Sequence, residues 1–108
     1  MRRFEVYEGE VVFEDGSSSK TRPAVIIEVT EDGDDIQVLG VYSYRKWFNK
    51  EHLDKRFTEI KDIEVAGLNQ RSFVEVNTVF DIPREVLNGF KYRGKLSIRD
   101  AMRLVEEL

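Results

Sequence analysis

The sequence predicts a mostly β domain, a small and partly open antiparallel barrel closed by one C-terminal helix. Two observations carry that prediction. Short runs rich in Val, Ile and aromatic residues recur through residues 4–92, each bounded by Gly, Pro, Asn or Asp. Only the final segment, 97–108, carries apolar residues at helical spacing behind a capping serine.

Residues 4–13 read as a first strand, with Gly9 as a bend or bulge. Asp15-Gly16 opens a loop, and 23–29 is a compact apolar strand that begins at Pro23. Residues 31–35, Glu-Asp-Gly-Asp-Asp, form a turn cluster that joins it to a third strand over 36–44. Segment 47–57 fits a short helix or an ordered loop, because its aromatics and charges follow neither period. An edge strand is expected at 59–65, broken by Ala66-Gly67-Leu68, followed by one long strand over 72–82 that Pro83 ends. A helical turn at 83–88 leads through Asn88-Gly89 into a short strand at 90–92. In the final helix Ser97 and Asp100 resemble a capping box, and Ile98, Ala101, Met102, Val105 and Leu108 share a face expected to be core.

With 108 residues the chain is expected to form one domain over 1–108 and to bury roughly 65% of its unfolded surface. It has no cysteine, which excludes thiol nucleophiles, disulfides and Cys-based zinc sites and fits a reducing, cytoplasmic setting. Met-Arg-Arg-Phe-Glu leads into no apolar stretch, so no signal peptide is expected, and no apolar run approaches a membrane span. The net charge of −4 comes from 17 basic and 21 acidic residues, a poor balance for a general phosphate binder. Acidic residues crowd 5–15 and 28–35, whereas Arg45, Lys46, Lys50, Lys55 and Arg56 outnumber Glu51 and Asp54. RNA binding therefore requires one basic face.

Residues 16–27 hold the most informative junction. A hydroxyl-rich loop with Ser18 and Ser19 ends in Lys20 and Arg22, then drops at Pro23 into an apolar strand. The proline forces Arg22 into extended geometry. A guanidinium on a stiff strand end, beside hydroxyls and amides, suits a phosphate. A plain hairpin loop with a solvated arginine fits the same residues.

Three patches together resemble the PemK/MazF family of type II toxins. They are Phe13-Glu-Asp-Gly-Ser-Ser-Ser-Lys20-Thr-Arg22-Pro23-Ala-Val-Ile-Ile, then Ala66-Gly67-Leu68 ahead of Ser72, then Arg93-Gly94-Lys95-Leu96-Ser97 before the last helix. The resemblance implies an SH3-like antiparallel β-barrel of the CcdB/PemK/MazF type with a C-terminal α-helix. It implies a homodimer that cuts single-stranded RNA at short sequences without a metal or other cofactor, silenced by a cognate antitoxin. It also carries Arg22 over as the catalytic arginine. The family's second catalytic residue is a threonine in a Thr-Ser pair ending the third strand; here Tyr42 stands at that position, followed by Ser43.

Metal-free RNA cleavage needs the 2′-hydroxyl to attack phosphorus, a group to take its proton, and a cation for the phosphorane. Arg22 fits the last role because a guanidinium stays charged and forks onto two oxygens. Tyr42 and Ser43 are both candidates for the missing partner, although neighbours on a strand face opposite ways. Tyr42 equally fits a packed strand aromatic. His52, the one histidine, fits a general acid or a plain surface residue. Tyr42, Tyr44, Trp47 and Phe48, interleaved with Arg45 and Lys46, fit an RNA contact surface, with Trp47 better suited to packing beneath the loop or at a dimer interface. Ser18, Ser19, Lys20, Tyr44, Arg45 and Lys46 are thus the expected RNA-binding residues beside Arg22, Tyr42 and Ser43. The departure at Tyr42 motivates an alternative, a module that binds RNA or antitoxin without cutting. A toxin that poisons gyrase on the same fold is a third reading, disfavoured by the Arg22-Pro23 junction.

Overall fold

A computed structural model describes residues 1–11, 20–44 and 56–108. Its sheet consists of β1 (Glu5–Val11), β2 (Lys20–Val29), β3 (Asp35–Ser43), β4 (Phe57–Ile60), β5 (Ser72–Glu75), β6 (Phe80–Pro83) and β7 (Lys91–Lys95). Among the described residues two helices accompany it, the single turn α1 (Arg84–Leu87) and α2 (Ile98–Glu107). All pairings are antiparallel. Among the described residues the path runs β4-β5-β3-β2-β1-β7, with β6 also on β3, and it does not close. None of the described helices is long and apolar enough to cross a membrane.

The β2–β3 hairpin forms where the acidic turn cluster places it. Gly33 N donates to Thr30 O at 2.8 Å, and Asp32 accepts from the Thr30 hydroxyl and from Asp34 N. These short polar side chains bond their own backbone, which favours a turn over a continued strand. Gly9 is not a bulge: its pairing with Arg22 continues an unbroken β1–β2 register, and the Phe90 ring covers the space a side chain there would fill.

Alternation along β2 and β3 feeds two cores. Val25, Leu39 and Val41 join Val74, Leu96 and Leu104 on one face, while Ile26, Ile36 and Val38 join Ile82 and Leu87 on the other. Burial on both faces explains why 24–27 is a continuous apolar run rather than an alternating one.

The expected long strand over 72–82 is two strands. Glu75 is almost fully buried, and its carboxylate accepts from Thr78 N at 2.7 Å and from the Thr78 hydroxyl at 2.9 Å. That local closure breaks the strand, so β5 pairs with 41–43 of β3 and β6 with 35–38. The expected edge strand at 59–65 is shorter and earlier, ending at Ile60 and giving way to a turn over 63–67.

Helix α2 lies at a different rotation from the one its apolar spacing predicts. Leu104 is buried, whereas Ile98, Met102 and Val105 are 81%, 61% and 48% exposed. Polar anchoring decides the rotation. Ser97 caps the helix, its hydroxyl accepting from Asp100 N at 3.3 Å. The Asp100 side chain does not complete a capping box; it turns inward, accepts from Lys61 N at 3.0 Å and Asp62 N at 2.8 Å, and pairs with Arg103. Burial pushes the Asp100 carboxyl up, but those backbone donors and Arg103 outweigh it and leave it below its ordinary value. Asp62 completes the anchor, accepting two bonds from Arg99, at 2.7 and 2.6 Å, and one from Ser97.

Two outcomes test this arrangement. In urea unfolding, Leu104→Ala costs about 2–5 kcal/mol, while Met102→Ala stays within about 0.5 kcal/mol of the parent; similar losses for both contradict the rotation. Asp62 supplies the pH test, because bonds from Arg99 and Ser97 hold its carboxyl down to about 2. A depressed folded value gives stability that is full above the unfolded value, about 3.9, and lost as pH falls through the folded one. The difference in urea midpoint between the parent and Asp62→Asn therefore shrinks from pH 4 towards pH 2, and a constant difference excludes the anchor.

Candidate functional site

The site begins where β2 and β3 part. Their pairing starts at Ala24 opposite Gly40, whereas β1 pairs with β2 through Pro23 to Lys20. Pro23 lies inside β2 rather than at its start. Its missing N–H falls beyond the end of the β3 ladder, where no donor is called for. From Val41 onward β3 pairs with β5. The parting opens a cleft of about 200 Å³, with Thr21, Arg22 and Pro23 along one side and Val41 and Ser43 along the other. Leu68, Asn69, Gln70 and Ser72 also line it, together with Glu8 and Arg93.

Arg93 reaches the cleft through a bulge. Val6 pairs with Gly94 and Tyr7 with Tyr92, so Arg93 is the extra residue of β7, a device that re-aims a side chain. Its Nε and Nη2 donate to Gly67 O at 3.3 and 3.1 Å, and its Nη1 lies 3.6 Å from Glu8 Oε1. Gly67 has φ of +77°, and a side chain there would overlap the Arg93 carbonyl. Lys95 N donates to Val65 O at 3.2 Å, so the 65–67 turn is bound directly to β7. Ala66-Gly67-Leu68 and Arg93-Gly94-Lys95 are thus one packed unit, and Leu68 and Arg93 line the same cleft as Arg22 and Pro23.

The other face of β3 carries an aromatic row. Tyr42 is paired with Phe73, and its ring meets Phe57 edge-on with centroids 6.1 Å apart. The Arg22 guanidinium lies 5.0 Å from the Tyr42 ring centroid. Such a contact is worth about 0.5–2 kcal/mol depending on solvation. Arg71 repeats the motif, 4.8 Å from the Tyr44 ring and 5.2 Å from Phe73, while its Nε donates to Glu59 at 2.9 Å. That bond from Arg71 holds the Glu59 carboxyl below its ordinary range.

The sequence leaves open which of Tyr42 and Ser43 faces the cleft, and the geometry decides. Ser43 and Val41 line it; Tyr42, between them, sits with the aromatic row beneath Arg22. Arg22 belongs to both, lining the cleft and stacking on Tyr42. Tyr44 joins Tyr42 through Phe73. Ser18, Ser19, Arg45 and Lys46 lie outside the described residues, as do Trp47, Phe48 and His52; Lys20 is described only by its backbone place at the start of β2. Glu8, Arg71, Phe57 and Phe73 belong to the site and escape a linear reading, because each arrives by cross-strand pairing. Among the described residues no group of three or more His, Cys, Asp or Glu side chains is gathered around a point that would hold a metal ion. The chain matches no protein-family model and no curated protein.

Gly67 offers a test of how the cleft is held. Gly67→Ala combines positive φ with an overlap on β7 backbone, and it lowers stability by roughly 1–3 kcal/mol. A thermal melt checks this, and an unchanged midpoint contradicts the close seating of the turn on β7.

Proposed function

We propose that this protein is a type II toxin of the PemK/MazF kind, a metal-independent endoribonuclease on an SH3-like barrel that acts in the cytoplasm on single-stranded RNA. One observation carries the reading. The three sequence patches that resemble the family lie more than twenty residues apart, yet Arg22 and Pro23, Leu68, and Arg93 line a single cleft. Two guanidiniums with serine, threonine and amide side chains around one cavity suit a phosphodiester. The aromatic row of Tyr42, Tyr44, Phe57 and Phe73 with Arg22 and Arg71 suits unpaired bases, which stack on rings and guanidinium planes.

In this reading the 2′-hydroxyl of a bound nucleotide attacks the adjacent phosphorus, and Arg22 neutralises the charge that builds on the phosphorane. The Ser43 hydroxyl is available in the same cleft as a neutral donor to a phosphate oxygen. The functional unit is a homodimer, and a cognate antitoxin covers the site.

A second reading follows from Tyr42. Where the family has a threonine, this chain has a ring engaged by Arg22 and Phe57, which supports a module that binds RNA or antitoxin without cutting. Incubation of the purified protein with single-stranded RNA, in the presence of EDTA, separates the two. The nuclease reading expects cuts at recurrent short sequences, slowed ~10²–10³-fold by Arg22→Ala. Salt-sensitive binding of RNA that stays intact supports the binding module instead, and equal cutting by Arg22→Ala removes the arginine from its role.

A further inference from the structure

Cleavage by the 2′-hydroxyl requires a proton acceptor, and the described residues around the cleft narrow the choice to one. A guanidinium is not deprotonated in proteins, and hydroxyl and amide side chains are poor bases near neutral pH. Glu8 is the sole carboxylate among the described residues that line the cleft. In register it stands opposite Pro23, with its neighbour Gly9 opposite Arg22, so the β1–β2 hairpin fixes its distance from the arginine junction. Arg93 holds it from the other side, Nη1 to Oε1 at 3.6 Å, while Arg93 is itself tied to Gly67 O. Both side chains are only 29% exposed. A partly sheltered carboxylate aimed by a guanidinium that is fixed to backbone is the arrangement a positioned base needs.

From this we infer that Glu8 is a further catalytic residue, accepting the 2′-hydroxyl proton of an RNA strand seated in the cleft, with Arg93 as its positioning residue. The inference rests on the ribonuclease reading above. The proton passes to a Glu8 oxygen as the 2′-oxygen forms its bond to phosphorus. The bond from phosphorus to the 5′-oxygen breaks, that oxygen takes a proton from water, and Glu8 later returns its own to solvent. The products are a 2′,3′-cyclic phosphate and a 5′-hydroxyl end. The charged groups around Glu8 are Arg93 and Lys91 of β7, Arg22 of β2 and Glu10 of its own strand; residues 68–70 bring none.

The test compares the parent, Glu8→Gln and Glu8→Ala on a single-stranded RNA that the parent cuts, with a 2′-deoxy oligonucleotide of the same sequence as binding probe. Glu8→Gln is expected to lower kcat ~10²–10⁴-fold and to abolish the acid limb of the pH–rate profile, with probe affinity unchanged within about threefold. Added formate is expected to restore part of the Glu8→Ala rate in proportion to its concentration. Parent-like cutting by Glu8→Gln overturns the role of Glu8 and leaves the nuclease reading standing. Loss of probe binding in step with kcat, without formate rescue, assigns Glu8 to structure and overturns the inference. Failure of the parent to cut any RNA overturns both.

Discussion

The molecule depends on β3 changing partners along its length. On one edge it pairs with β2 until Gly40; on the other it takes β6 over 35–38 and β5 over 41–43. A strand shared this way cannot keep all its neighbours in one plane, because each pairing adds its own twist. Pro23 makes the separation from β2 inexpensive, since it has no N–H to leave unpaired. The cleft is the space between strands that have stopped pairing, and its walls are the last paired residues. Arg22 occupies the corner, with its backbone still held by Gly9 of β1 and its guanidinium lying over Tyr42 of the departing strand.

Local chemistry made most of the elements legible. The acidic turn at 30–35, the capping Ser97 and the helical turn after Pro83 all depend on residues within a few positions of one another, and all stand as the sequence predicts. The departures are nonlocal. Nothing in 72–82 announces that two halves of β3 compete for it, and the break appears only once Glu75 closes onto Thr78. The rotation of α2 is hidden for the same reason: apolar spacing points to Ile98, Met102 and Val105, but Asp100 meets backbone donors some forty residues away and turns Leu104 inward instead. Buried polar anchors of this kind outweigh an apolar stripe because an unsatisfied carboxylate costs more than an exposed methionine.

The site was half legible. Arg22 and Ser43 carry local signals, a pre-proline position and the end of an apolar strand. Glu8 carries none, and Arg93 only its place at the head of the Arg-Gly-Lys-Leu-Ser patch. One sits in a strand of alternating acidic residues, and the other reaches the cleft only because of a one-residue bulge whose partner strand is more than eighty residues away. Gly67 supplies the link, since it lets the 65–67 turn approach β7 closely enough to receive the Arg93 guanidinium.

An acidic net charge is compatible with the proposed phosphate site because the charges of the β2–β3 hairpin are segregated along it. Glu31, Asp32, Asp34 and Asp35 crowd the turn at one end of β2 and β3, while Arg22 marks the other end. Seven residue steps separate Arg22 from Val29 at the turn end of β2, roughly 23 Å at ~3.3 Å per residue. That is more than two Debye lengths at physiological salt, about 8 Å each, so the turn carboxylates do little to oppose a polyanion at the cleft. Nearer carboxylates include Glu10, opposite Thr21, and Glu8 and Glu59, which lie against Arg93 and Arg71 and offset rather than reverse the local field. The net charge of −4 therefore governs how the protein behaves at a distance, while Arg22, Arg71 and Arg93 contribute the positive charge at the sheet end.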